Sequence, residues 1–152
     1  MRQIQASSIT GVPILTLPDI RSAEVHPHNP FARTARLWRR AVHGDSAAQF
    51  TLGLAHIKGN GVPRDPREGV KWLRRAARQG HIGAQLNLGV AFALGKGVRQ
   101  GDMQAYMWFS LAAEGGEERA LDYCLKLVKR MEPDQVEDAE RMVCEYRSTA
   151  AH

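Results

Sequence analysis

Ala48-Gln49-Phe50-Thr51-Leu52-Gly53, Gly59-Asn60-Gly61-Val62, Trp72-Leu73-Arg74-Arg75-Ala76-Ala77 and Gly80-His81 form one stretch, and the chain writes it again. The second writing is Ala84-Gln85-Leu86-Asn87-Leu88-Gly89, Gly95-Lys96-Gly97-Val98, Trp108-Phe109-Ser110-Leu111-Ala112-Ala113 and Gly116. Each landmark moves by 36 residues, a period typical of stacked helical repeats.

Each copy reads as two helices around a glycine turn. In the first, a helix over Ser46–Ile57 is capped by Asp45 or Ser46. Gly59-Asn60-Gly61 makes the turn, and Asp65-Pro66-Arg67-Glu68 opens the second helix, with Glu68 where a capping-box acid belongs. The second copy predicts helices over Ile82–Leu94 and Asp102–Glu114. Small residues recur at Ala48, Ala84 and Ala120, at Gly53 and Gly89, and at Ala77 and Ala113. A helical glycine costs about 1 kcal/mol relative to alanine, so Gly53 and Gly89 predict close helix crossings.

Outward from the two copies the pattern frays. Phe31–His43 reads as a helix with Ala32, Ala35, Trp38 and Ala41 or Val42 on one face. Shifted by 36, Leu37 falls on Leu73, Ala41 on Ala77 and Gly44 on Gly80, which makes this helix the second half of a repeat. After the second copy, a helix from Glu118 loses the glycine turn and passes through Met131-Glu132-Pro133-Asp134. A last helix over Pro133–Tyr146 is acidic outside (Asp134, Glu137, Asp138, Glu140, Glu145) and apolar inside (Val136, Ala139, Met142, Val143). A polar end unit is what a stacked array needs at its terminus. Residues 1–30 differ in kind: Pro13, Pro18, Pro27 and Pro30 forbid a continuous helix, and Val12 to Leu17 reads as an extended apolar piece that can lie in the chain's own groove over residues 11–20.

These motifs resemble the Sel-one-like repeat family (SLR), a relative of the tetratricopeptide repeat, over Arg36 to Tyr146. The resemblance implies an all-α fold, a right-handed α-solenoid of antiparallel helix pairs. It divides the chain into residues 1–30, then 31–148 as the solenoid. Within the solenoid lie a half repeat 31–45, repeats 46–81 and 82–117, and an atypical pair 118–147. Departures are local: the family's aromatic near the end of the first helix is His56 in one copy and Phe92 in the other, and the aspartate opening the second helix is Asp65 in one and Gly101 in the other. Members of the family act as adaptors that scaffold other proteins, often in bacterial regulation or at membranes, and the same is expected of this chain.

Charge is uneven. Residues 1–80 hold 13 Lys and Arg against 5 Asp and Glu, a net +8, and residues 81–152 hold 8 against 11, a net −3. Such a molecule can steer charged partners or stack head to tail with its own copies. Arg67, Lys71, Arg74, Arg75 and Arg78 share the outer side of one helix. That stripe offers an alternative function, binding nucleic acid or another anionic surface, but it lacks interleaved aromatics or a groove-reading element.

Chemistry is hard to find. Gly59-Asn60-Gly61 and Gly95-Lys96-Gly97 have no third glycine and follow no strand, so they are turns and not phosphate cradles. His43 and His81 sit at repeat junctions with no nucleophile at fixed spacing, and His26 and His28 lack further ligands. Cys124 and Cys144, on the two helices of the last pair, read as buried thiols that can approach each other. We expect no catalytic residues, metal or cofactor. No run is long enough for a membrane span and no signal peptide is read, which predicts a cytoplasmic chain. Trp38, Trp72 and Trp108 are expected in the core. The first helices should line a concave groove with Thr51, Ala55 and Lys58, then Asn87, Ala91 and Leu94, then Tyr123. Small or neutral side chains there suit an extended or helical peptide of a protein partner.

Overall fold

The computed structural model describes residues 30–152, and the N-terminal expectations, including His26, His28 and the groove-filling piece, fall outside them. Among the described residues there are seven helices and no strand: α1 Pro30–Val42, α2 Ser46–Lys58, α3 Pro66–Arg78, α4 Ile82–Leu94, α5 Asp102–Glu114, α6 Glu118–Val128 and α7 Pro133–Ala150.

Local chemistry sets where these helices begin. Asp45 caps α2, its Oδ1 accepting from the Ala48 N–H at 3.1 Å. One period on, His81 caps α4 through Nδ1, which accepts from the Ala84 N–H at 3.1 Å. Asp65 caps α3 by accepting from the N–H groups of Arg67 and Glu68 at 3.0 and 3.2 Å. Glu68 does not close the expected capping box. It reaches forward to Lys71 Nζ at 2.9 Å, where an ion pair is available. Gly101 occupies the same place before α5 and has no side chain to cap with. Gly101→Asp is therefore expected to raise unfolding stability by roughly a few tenths of a kcal/mol in a urea titration. Its backbone is extended (φ −161°), and only the flexible Gln104 side chain must swing aside.

The helices stack in chain order, each packing on its predecessor from α1 to α6. A Cβ on Gly53 would lie 2.9 Å from the Gly69 carbonyl oxygen and 3.0 Å from Leu73, and one on Gly89 would lie 2.6 Å from the Phe109 ring. The close crossings expected at these glycines are present. The glutamine of each copy is buried for a reason the pattern alone did not supply. Gln49 Nε2 donates to the Ala41 carbonyl at 2.9 Å, and Gln85 Nε2 to the Ala77 carbonyl at 3.3 Å. Each thereby adds a side-chain bond to a carbonyl near the end of the preceding second helix that already accepts from the Gly44 or Gly80 N–H, tying the two helices together. Gln79 adds a bond to Gln49 Oε1 at 2.7 Å. The core runs through the stack in three clusters, around Ala41, Leu52 and Trp72, around Leu73, Leu88 and Trp108, and around Phe109, Ala120 and Leu127.

The ends depart from expectation. Trp38 is 54 % exposed, and Ala35 and Val42 are exposed too, so the tryptophan expected in the core is not there. The buried side of α1 is Ala32 and Ala41 with Leu37 packed beside them. Trp72 of α3 packs in the same cluster as Leu37 and Ala41, which fixes this side toward the next layer and turns Trp38 out. Trp72 and Trp108 are buried as expected. At the other end, α7 packs on α5 and not as a hairpin partner of α6. Tyr146 stands edge-on to Trp108 with centroids 5.3 Å apart, Val143 joins the Trp108 cluster, and Arg147 bonds Glu114. These contacts carry α7 four residues past its expected end at Tyr146, to Ala150. Cys124 is buried but Cys144 is exposed, and both are free thiols.

Candidate functional site

Three of the expected groove residues come together. Thr51, Ala55 and Lys58 of α2 line a depression of about 500 Å³ with Arg33, Thr34 and Leu37 of α1, closed at one end by Asn60 and Gly61. Thr51 Oγ1 donates back to the Ala47 carbonyl at 2.8 Å, which turns its methyl group outward as an apolar contact.

A second depression, of about 260 Å³, lies between α4 and α6. Leu94 and Tyr123, both expected, stand on its walls with Val90, Ala93 and Leu127, and Phe109 of α5 forms its floor. Tyr123 stacks on Phe109 with ring centroids 4.9 Å apart and 24° between planes. Lys126 Nζ lies 5.5 Å from the Tyr123 centroid, a cation–π contact that holds the ring in place. Arg130 closes the rim, tied to Asp102 by bonds of 3.0 and 2.5 Å. The result is an apolar floor with a cationic edge, and Leu94 is left 58 % exposed above it.

Ala91 does not belong to this surface. It lies on the stripe Ala84, Leu88, Ala91, which α4 buries against α3, and it is 4 % exposed. Asn87 is half-buried, its Nδ2 donating to the Gly83 carbonyl at 2.7 Å. Val90, Ala93, Phe109, Leu127 and Arg130 were missed by the sequence reading. The signal lay in Phe109 itself, a ring where the first copy has Leu73, opposite a glycine.

The basic stripe is real as a surface. Arg67, Lys71, Arg75 and Arg78 are exposed on one side of α3, and Arg74 is half-buried. Several of its cations have local employment. The Arg75 guanidinium lies 4.5 Å from the Trp72 centroid, Arg74 lies 5.9 Å from Phe92, and Lys71 pairs with Glu68. These arginines shield aromatic surface from water and hold the layers together.

Titratable chemistry is sparse. Burial pushes the Cys124 thiol above its ordinary value, and Ser110 Oγ lies 3.7 Å from its sulfur, so it is a poor nucleophile. Burial likewise raises the Tyr106 and Tyr146 phenols. Among the described residues no group of three His, Cys, Asp or Glu side chains could hold a metal ion, and no helix is long and apolar enough to cross a membrane.

Comparison with known proteins fits this geometry. The Sel1 repeat family model matches residues 46–81 and 82–117. One similar solved structure is c5321 of uropathogenic Escherichia coli strains, described as a protective antigen displaying an SLR fold. It is 31 % identical, with a TM-score of 0.73 over 76 % of this chain and 25 % of that one. Another is a Sel1 repeat protein from Oxalobacter formigenes, 36 % identical, with a TM-score of 0.59 over 60 % of this chain and 38 % of that one. The chain thus spans 25 % of the first relative's length and 38 % of the second's. No curated protein matches it.

Proposed function

Because the chain carries two tandem Sel1 repeats and is a Sel1-repeat protein, from a family that commonly mediates protein–protein interaction, we propose that it is a non-catalytic adaptor. It holds a peptide or surface of a protein partner along the side formed by its first helices. Thr51, Ala55 and Lys58 make one contact, and Leu94 and Tyr123, with Asn87 between the two, make the other. The observation that carries this reading is the depression under Leu94 and Tyr123. Exposed apolar side chains over a rigid aromatic floor gain roughly 25 cal/mol for each Å² a partner covers. Rings locked by stacking also lose little entropy on binding. Lys126 on the rim, where Arg130 is already neutralised by Asp102, favours a partner with an acidic residue flanking an apolar anchor. Sel1-repeat proteins are typically scaffolds, and two free thiols, one of them solvent-exposed, fit a reducing compartment such as the cytoplasm.

The test is capture from nuclease-treated native lysate at low and high salt, with the natural chain, Leu94→Glu, and Arg74→Glu with Arg75→Glu. A partner that survives high salt and is lost with Leu94→Glu supports the groove. We expect that substitution to weaken capture at least about tenfold, the equivalent of 1.4 kcal/mol. Capture abolished by nuclease or salt, and by the α3 substitutions instead, makes the stripe Arg67 to Arg78 the working surface and removes this proposal.

A further inference from the structure

The two ends of the described array carry opposite charge at matching positions. In α3, Gly69 is buried against α2, the pair's own first helix, Trp72 shares a cluster with Ala41, Ala48 and Leu52, and Ala76 is fully buried. Ala105, Trp108 and Ala112 are buried at the corresponding places in α5. One period before α3, those three positions in α1 are Arg33, Arg36 and Arg40, all exposed. The first layer therefore presents guanidinium groups where every inner layer presents packing surface. Asp45 holds Arg40 at 2.5 Å, but among the described residues no carboxylate pairs with Arg33 or Arg36.

The last layer is the counterpart. Helix α7 begins at Pro133 as α3 begins at Pro66. Aligning the two prolines puts Val136, Ala139 and Val143 where α3 has Gly69, Trp72 and Ala76. Ala139 and Val143 are buried and Val136 is packed on the core, so α7 keeps the register of a second helix. Three buried positions of α3, Val70, Leu73 and Ala77, share one cluster with Ala84, Leu88 and Trp108 of the next layer. In α7 they are Glu137, Glu140 and Cys144, all exposed. Glu140 also lies beside the Tyr106 hydroxyl, whereas Glu137 has no partner among the described residues.

We propose that the onward face of α7 is a docking surface for α1 of a second copy of this chain, with Arg33 and Arg36 set against Glu137 and Glu140. The register is the one that puts Val70 and Leu73 of α3 in one core cluster with Met107 and Trp108 of α5. A second copy fits because each end complements the other and repels itself: two α1 faces would oppose arginines, and two α7 faces would oppose glutamates. Such a contact is heterologous and leaves a free end of each kind, so association is open-ended and weakens with salt.

Sedimentation velocity of the full chain tests this at about 0.05 M and about 0.5 M salt, either side of the ionic strength at which screening shortens to contact distances. Association is expected at low salt and its loss at high salt. Arg33→Glu with Arg36→Glu, and separately Glu137→Arg with Glu140→Arg, should each weaken self-association at least about tenfold. Mixing the two variants should restore it, because unlike faces again meet. A merely structural role cannot be rescued by mixing. If charge reversal disturbs helicity in circular dichroism, Arg36→Gln and Glu137→Gln carry the same comparison by loss alone. A full chain that stays monomeric at low salt, association that survives both variants, or a mixture that fails to associate overturns the proposal. Leu94→Glu leaves both ends untouched and should associate as the natural chain does, which separates this test from that of the groove.

Discussion

Alanine in place of Gly97 is expected to destabilise the protein by about 3 kcal/mol, lowering Tm by roughly 6–12 °C for a chain of this length. Two costs combine. Gly97 has φ +74°, a left-handed conformation that costs an L side chain roughly 1–2 kcal/mol. Its Cβ would also lie 2.3 Å from the Pro66 carbonyl oxygen and 2.6 Å from the Pro66 carbonyl carbon. Both are backbone atoms at the start of α3, so no rotamer change relieves the overlap, and overpacking of this kind costs about 1–3 kcal/mol. Gly80 supplies the control. Its φ is +85°, but nothing lies within 4 Å of a Cβ there, so Gly80→Ala should show the conformational cost alone. The difference between the two, read in urea titrations, measures how tightly the second copy's turn sits on the first copy's second helix. Equal losses for Gly80→Ala and Gly97→Ala would show that the turn does not clamp the layers. Because stability in a stacked array resides in such nearest-neighbour contacts, Gly97→Ala should also lower amide-exchange protection in α4 and α5 more than in α2.

The repeat was legible because its signals are local. Asp45, Asp65 and the glycine turns act within a few residues of themselves, and they place the ends of α2 to α5 within about a residue, the precision at which helix boundaries are defined. What failed was the choice of neighbour. Apolar spacing within α1 alone places Trp38 on the buried face, although the shift that puts Leu37 on Leu73 also puts Trp38 on Arg74, a half-buried cation. Among the described residues, α1 packs on α2 and turns Leu37 and Ala41 toward Trp72. Ala91 departs in the opposite sense: a small side chain on α4 suits groove or core equally, and the packing of Leu88 and Ala84 against α3 decides it. The Met131-Glu132-Pro133-Asp134 connection marks the start of α7 at Pro133 but carries no information about what the helix packs on. That was decided by Val143 and Tyr146 meeting Trp108, residues 35 and 38 positions apart from it in the chain.

The second large effect is expected at Phe109, where core and candidate groove share one side chain. Phe109→Ala removes a ring that is 1 % exposed and should cost about 3–5 kcal/mol. Gly89→Ala places a methyl group 2.6 Å from that ring, a clash offset in part by the gain of about 1 kcal/mol in helix propensity. Combined, the two should be less harmful than their sum, because the new methyl occupies space that the ring has left. We expect a coupling of about 1–2 kcal/mol, well beyond the few tenths seen for independent sites. Strict additivity in a double-mutant cycle would mean that Gly89 is not present to admit the ring. The same cycle reads the groove. Phe109 stacks on Tyr123 and floors the depression under Leu94, so its loss frees Tyr123 to move and should weaken partner capture even where the fold survives. In the doubly substituted chain stability should recover in part while binding does not, since a methyl group on α4 fills volume without restoring a stacking surface for Tyr123. Recovery of both together would show that the groove depends on core stability alone and not on the aromatic floor.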